Sequence, residues 1–332
     1  MTSSDAPRPK ASRKFFWWAV FLVLLFGGYT AGWFFVADRV DREVGRTISR
    51  LAGNGVTLDC ANRTVRGYPF RLGLFCDGVQ YDDPERNIHL KTGALRTAAQ
   101  IYQPLRTVAE LDGPFTLNGP DFPPIELSWT ALRASARLAR PLPERVSVVA
   151  DGLNATMATD AARAAQVFSA THIEGHLRPN GADLDWAGNF TGLSIDPAIV
   201  DGRIVPPLAG ESDIKIVNGA TLLAERPKSL RGQSFEVRNL VLSAGEGSVV
   251  ATGPITFDDQ GLLDANLQVT LKNPKAISAV LQTAVPERSR EINTGFAGLA
   301  LMGPEFSLPL RVVKGKAQLG FIPLGDVPAI GE

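Results

Sequence analysis

Hydrophobic positions in this chain follow three spacings in turn. From residue 15 to residue 36 they are continuous, and FFWWAVFLVLLFGGYTAGWFFV holds no charged side chain. A helix of that length, rising about 1.5 Å per residue, would extend about 33 Å against a hydrocarbon core roughly 30 Å thick, so the run predicts a transmembrane helix over 15–36. Phe15, Trp17, Trp18 and Trp33 near its ends suit the aromatic belts of a membrane interface. A cleaved signal peptide would have a shorter apolar region and then small residues, where this chain has Trp33, Phe34 and Phe35. Over 37–53 the spacing becomes helical, with Val40, Val44, Ile48 and Leu51 on one side and arginines on the other. That predicts an amphipathic connector helix packed on the domain that follows. From Val56 onward the period falls to two.

Short alternating stretches punctuated by Gly, Pro and Asn then fill the chain. VSVVADGLNATM, GHLRPNGADLDWAGNFTGLSI, SDIKIVNGATLLA, FEVRNLVLSAGEGSVVATGPITFDDQGLLDANLQVTL and SLPLRVVKGKAQLGFI read as strands joined by tight turns. In the last, Lys314 and Gly315 stand at a two-residue turn, with Leu308, Leu310 and Val312 before it and Ala317, Leu319 and Phe321 after it. Helical patterns are few. NPKAISAVLQTAV opens with Asn273 as a cap and Pro274 at the first helical position, a second helix is expected over 287–301, and 159–169 fits either state. The fold expected is mainly β with a few helices: an N-terminal transmembrane helix followed by an elongated, curved antiparallel β-sheet domain. No linker divides residues 54–332, which are expected to form one β-rich unit.

The two cysteines of the chain flank CANRTVRGYPFRLGLFC. Gly67, Tyr68 and Pro69 are a turn signal, and a hairpin centred on Tyr68 would set Cys60 opposite Cys76, with Val56, Leu58, Leu72 and Leu74 on the same face. Facing positions of paired strands approach closely enough for a disulfide. Zinc needs more ligands than two cysteines, the chain has three histidines in all, and a redox pair would be spaced C-x-x-C. A structural disulfide is the expectation, with two buried thiols as the alternative. Such a bond places residues 54–332 in an oxidising compartment, the periplasm or its equivalent.

Composition changes this picture by exclusion. With 45% hydrophobic residues the chain can bury a substantial core, and 34 basic against 34 acidic residues leave no broad positive field for a nucleic acid. Charge does not fix orientation: Arg8, Lys10, Arg13 and Lys14 precede the span, and Arg39, Arg42, Arg46 and Arg50 follow it. The short basic leader, residues 1–14, and the disulfide argument together place the N-terminus in the cytoplasm. Gly28 and Gly32 form a G-x-x-x-G step through which two anchors would pack as a homodimer, although glycine is common in membrane helices.

Catalytic signatures are sparse. HIEGH puts His172, Glu174 and His176 on one face of a strand with Ile173 and Leu177 on the other, which reads as a half-buried strand with a wet side before it reads as a metal site. The chain lacks a P-loop, a Rossmann glycine pattern after a strand and a G-x-S-x-G elbow. Asp183 and Asp185, like Asp258 and Asp259, sit beside turn signals and are expected to solvate loops. The expectation is a non-enzymatic protein with no cofactor and no bound metal.

The anchor, GYPFRL (Gly67, Tyr68, Pro69, Phe70, Arg71 and Leu72) between the cysteines, AAQIYQPL over 98–105 and the closing GFIPLGDVP together resemble a family of membrane-anchored bacterial proteins known as domain of unknown function 2125. That resemblance covers nearly the whole chain and implies no activity. GSVVATGPITFDDQGLLDANLQVTL is also similar to the glycine-punctuated hairpins of AsmA-like envelope proteins, which implies a curved sheet sheltering lipid. The function expected is therefore an inner-membrane-anchored periplasmic protein that binds or shuttles lipid in an apolar groove. The alternative is a scaffolding protein with a closed core that binds an envelope partner.

Overall fold

A computed structural model describes residues 13–120, 122–160, 163–225, 229–300 and 303–330. Most of the basic leader and Leu301 of the expected second C-terminal helix lie outside the described residues.

The first element is one unbroken helix, α1 (Arg13–Gly53), in which the apolar run and the amphipathic connector share a single axis. Its 41 residues extend about 60 Å at the usual rise. The two halves meet different surroundings. Phe15 to Phe26, apart from half-buried Val20, leave their large side chains exposed, whereas Trp33 and Ala37 are buried and Val40, Val44, Ile48 and Leu51 are half-buried. That stripe packs on the first strands of the sheet, held at its middle by Asp41, whose carboxylate accepts from Arg63 Nε at 2.8 Å.

The sheet is a single antiparallel meander in which strands pair in the order they occur in the chain. Its first half consists of long strands each interrupted once: β1 (Thr57–Ala61) and β2 (Thr64–Arg66), β3 (Arg71–Cys76) and β4 (Gly78–Asp83), β5 (Ile88–Thr92) and β6 (Leu95–Gln100), β7 (Gln103–Leu111) and β8 (Phe115–Asn118), β9 (Ile125–Ser128) and β10 (Ala131–Arg137). Each pair keeps nearly one register across the break, so β1–β4 and β2–β3 form one hairpin and β9 and β10 both pair with the next strand. The second half is β11 (Arg145–Asp160), β12 (Arg163–Asn180), β13 (Asp183–Ile195), β14 (Leu208–Ile216), β15 (Ser234–Ala244), β16 (Gly247–Phe257), β17 (Leu263–Lys272), β18 (Glu305–Val313), β19 (Lys316–Leu319) and β20 (Ile322–Asp326). Among the described residues the two ends of the meander do not pair with each other; α1 packs against the first strands, and Pro323 and Gly325 weaken the last as a template.

Because paired residues share a face, register alone sorts the side chains. One row runs from Leu72 on β3 through Val146, Leu177, Trp186 and Ile214 to Val237 on β15. Of the next rows on this face, one runs through Val148, Gly175, Gly188 and Ser212 to Leu240 and the other through Ala150, Ile173, Phe190 and Gly210 to Leu242, and the opposite face carries Arg178, Asp185, Glu174 and Glu211. At the C-terminal end the apolar face is covered by α3 (Pro274–Ala284) and α4 (Ser289–Ala300): Leu267, Val269, Leu271, Ile277 and Phe306 form the buried cluster, with Phe296 and Leu299 packed against it. Asn273 caps α3 as expected, its side chain accepting from Ala276 N–H at 3.2 Å. The Lys314–Gly315 turn is present, pairing Leu310 with Leu319 and Val312 with Ala317, but Gly320 turns the chain so that Phe321 projects into solvent.

One open reading is resolved and two local expectations are corrected. The ambiguous stretch 159–169 belongs to β11 and β12 where described. NGATLLA is not strand: Asn218 leaves the sheet, and α2 (Gly219–Glu225) begins there, with Leu222 N–H donating to the Asn218 carbonyl. The hairpin is not centred on Tyr68, since Arg66 faces Gly73 and Cys60 faces Val79. The turn is wider than a tight one because Tyr68 and Pro69 are drawn onto α1, and that displaces the register by three in the sum of partner numbers.

Candidate functional site

The chain joins its apolar helix to its sheet through the GYPFRL turn. Gly67 has φ of 122°, a conformation that side chains rarely adopt, and Arg71 N–H closes the turn on its carbonyl at 2.8 Å. Tyr68 packs edge-on to Trp33, with ring centres 5.6 Å apart, and stacks on Phe34 at 5.9 Å. Its hydroxyl lies 2.7 Å from Thr30 Oγ1, the Trp33 indole donates to the Arg71 carbonyl at 2.9 Å, and the Tyr29 hydroxyl donates to the Pro69 carbonyl. Trp33 therefore turns toward the sheet, while Phe15, Trp17 and Trp18 remain exposed near the other end. Gly28 and Gly32 lie on open surface, where an added Cβ would meet nothing. Phe70 is exposed. Tyr29 and Thr30 were not singled out in the sequence, although two hydroxyls inside an apolar run are the signal that a polar partner must be found.

The disulfide between Cys60 and Cys76 forms, with Cα atoms 5.2 Å apart and Cys76 buried. In a regular ladder, partners three places out of register would stand about 10 Å apart along the strand, so the chain must leave the ladder between them. It does so at Asn62, which takes a left-handed φ of 51° and donates from Nδ2 to the Asp77 carboxylate at 2.8 Å.

Away from α3 and α4, the apolar face is only partly covered. Val148, Trp186, Leu240 and Leu242 are exposed there. The Trp186 ring lies flat over Gly175, where a Cβ would come within 2.7 Å of it, and its indole donates to Ser212 Oγ at 3.0 Å. Clefts of about 500 and 350 Å³ lie over the polar face instead, the first beside Phe75, Arg96 and Arg133 and the second beside Asn189, Glu211 and Asn239.

That polar face holds HIEGH. His172 Nδ1 lies 2.7 Å from the Asp151 carboxylate, His176 Nε2 lies 2.8 Å from Glu174, and His176 Nδ1 lies 2.7 Å from Ser147 Oγ. Each ring is thus satisfied by a protein partner, and among the described residues no group of three or more His, Cys, Asp or Glu is arranged to hold a metal ion. The hydrogen bond to Asp151, opposed by partial burial, raises the His172 pKa above its ordinary 6.5. A raised imidazole pKa stabilises the fold fully below the unfolded value and loses that contribution as pH climbs through the folded one. Thermal unfolding is accordingly expected to show a fall in stability above pH 6.5 that Asp151→Asn diminishes; an unchanged pH slope in the variant would contradict the pairing.

Asp185 corrects another expectation. Rather than solvating a loop it is buried, accepting from Arg238 Nη2 at 2.6 Å, Arg178 Nη2 at 3.1 Å and Asn180 Nδ2 at 3.2 Å. Burial disfavours its charge, but the two guanidinium groups outweigh that and hold the carboxyl below its usual range. Asp183 and Asp258 do serve turns, accepting from the backbone N–H of Asn218 and of Gln260 and Leu262.

No curated protein matches the chain significantly. The sequence profile of one bacterial family matches residues 33–328, beginning at the tryptophan that binds the GYPFRL turn and reaching beyond the last strand. The chain belongs to that family, described as uncharacterized protein conserved in bacteria, DUF2125.

Proposed function

We propose that this protein is a single-pass, non-enzymatic component of the bacterial envelope, anchored in the inner membrane by α1 with its sheet in the periplasm, and that the uncovered apolar face of the sheet takes up lipid acyl chains. The anchor reading is supported by a helix long and apolar enough to cross a membrane whose apolar half is exposed, unlike the core helix of a soluble protein. Removal as a signal peptide fits poorly, because Tyr29, Thr30 and Trp33 bind the sheet. The disulfide agrees with an oxidising compartment.

The observation that carries the lipid reading is the largely apolar face that spans the sheet from Leu72 to Val237 and is exposed at Trp186 in that row and at Val148, Leu240 and Leu242 in the two rows beside it. Each buried methylene of a bound chain would contribute about 0.8 kcal/mol, so a few suffice without any catalytic group. Under α3 and α4 the same face is filled by the protein's own side chains, which favours the scaffolding alternative for that end alone.

The test is photocrosslinking in cells with a benzophenone amino acid at Leu240 or Leu242, and at Glu211 as the polar-face control. Lipid adducts at the first two and not at Glu211 are expected by mass spectrometry. Protein adducts at Leu240 and Leu242 would replace lipid by a partner.

A further inference from the structure

Three hairpin turns at one end of the sheet, those after β2, β6 and β10, together with the start of β7, carry large apolar side chains that the chain leaves uncovered. Phe70 is 67% exposed, Tyr102 69% and Leu105 59%, with Leu138 exposed beside them. Backbone hydrogen bonds tie the turns into one surface: Ile101 N–H donates to the Phe70 carbonyl at 3.1 Å, and Leu138 N–H to the Leu105 carbonyl at 2.7 Å. This surface is continuous with the apolar half of α1. The Pro69 carbonyl is bonded to Tyr29, nine residues before Asp38, the first charged residue after the apolar run, which is about 13 Å along the helix toward its apolar side.

Charge is divided along the same strands. Near the three turns stand Arg66, Arg71, Arg106, Arg140 and Arg145, while the one local acid, Glu144, is paired with Arg137 at 3.0 Å. At the opposite strand ends Asp59, Asp82, Asp83, Glu85 and Glu126 outnumber Arg86 and Lys91. Exposed aromatic and aliphatic tips ringed by arginine match the interfacial layer of an anionic bilayer, and the acidic far end would be repelled from it.

We propose that these turns form a second membrane contact, a foot that inserts Phe70, Tyr102 and Leu105 into the leaflet α1 enters while Arg71, Arg106 and Arg140 meet anionic headgroups. The inference rests on the reading of α1 as a membrane helix. It also deepens the lipid reading: Leu72, where the apolar row begins, directly follows Arg71, so the foot would set the start of that row at the bilayer surface.

The experiment uses the full chain with its disulfide intact, in vesicles of phosphatidylethanolamine and phosphatidylglycerol. A fluorophore is attached at Phe70→Cys, Tyr102→Cys, Asn118→Cys at the opposite end, or Leu24→Cys within α1. Lipid-borne quenchers are expected to act on the labels at 70, 102 and 24, and aqueous iodide on the label at 118. Replacing Arg71, Arg106 and Arg140 by Gln should lower the equilibrium constant for membrane contact by up to about fivefold per arginine, read as reduced lipid quenching at 70 and 102, and only when phosphatidylglycerol is present. Lipid quenching at 24 with iodide quenching at 70 and 102 overturns the foot and leaves the anchor. Protection at 70 and 102 from both quenchers assigns the surface to a protein partner and also overturns it. Iodide quenching at 24 overturns the anchor, and the foot with it.

Discussion

Replacing Cys60 and Cys76 together by alanine is expected to lower the stability of the folded chain by about 3 kcal/mol, the loop-closure entropy returned to an unfolded chain freed of a 16-residue link. The bond matters more than its length suggests because of where it lies. It bridges the point at which the first hairpin departs from its ladder, next to Asn62 and Asp77, and the same hairpin carries the turn that grips α1. Loss of the bond should therefore loosen the join between helix and sheet before it affects α3, α4 and the cluster around Phe306. Denaturant titration of the full chain in detergent measures the size, and hydrogen exchange measures the order. The oxidised wild type, treated with reductant, should fall to the level of the double variant. Equal stability before and after reduction would mean that the link is not formed in the protein as it exists.

The outline of this molecule could be read from spacing because each element's period is set by backbone geometry and repeated many times. A charge-free run of 22 residues admits few interpretations, and alternation over β12 to β17 separates Ile173 from Glu174, or Val269 from Thr270, without any structure. What spacing cannot supply is the neighbour. The hairpin register departs from one centred on Tyr68 because the turn is shaped by Trp33 and Tyr29, nearly forty residues earlier in the chain. Asp185 read as a loop carboxylate because Arg238, which neutralises it, lies 53 residues away on another strand. NGATLLA contains too few apolar positions to tell a strand from a short helix, and Asp183 decides the matter by binding Asn218 N–H where the chain turns out of the sheet. The candidate site was half legible on the same grounds: GYPFRL stood out as a turn, and its partner surface on α1 did not.

Gly73 is the position at which substitution should cost most for the fewest atoms added. It lies buried in β3, between the GYPFRL turn and Cys76, where β3 and β6 approach so closely that a Cβ would stand 2.0 Å from the Thr97 carbonyl oxygen. The obstacle is backbone, so trimming a side chain cannot relieve it. Thr97 also uses this closeness: its Oγ1 accepts from Leu74 N–H at 2.8 Å and donates to the Leu74 carbonyl at 3.2 Å, taking the place of ladder bonds. Forcing the strands apart would combine the strain of overpacking with the loss of both bonds, so Gly73→Ala is expected to destabilise the protein by about 3 kcal/mol or more. Gly295→Ala is the matched control. An added Cβ there meets nothing on α4, and replacing glycine inside a helix should stabilise by up to about 1 kcal/mol. Unfolding midpoints that move in opposite directions would support the close approach of β3 and β6. A Gly73→Ala protein as stable as the wild type would show that the two strands are further apart than their hydrogen bonds require.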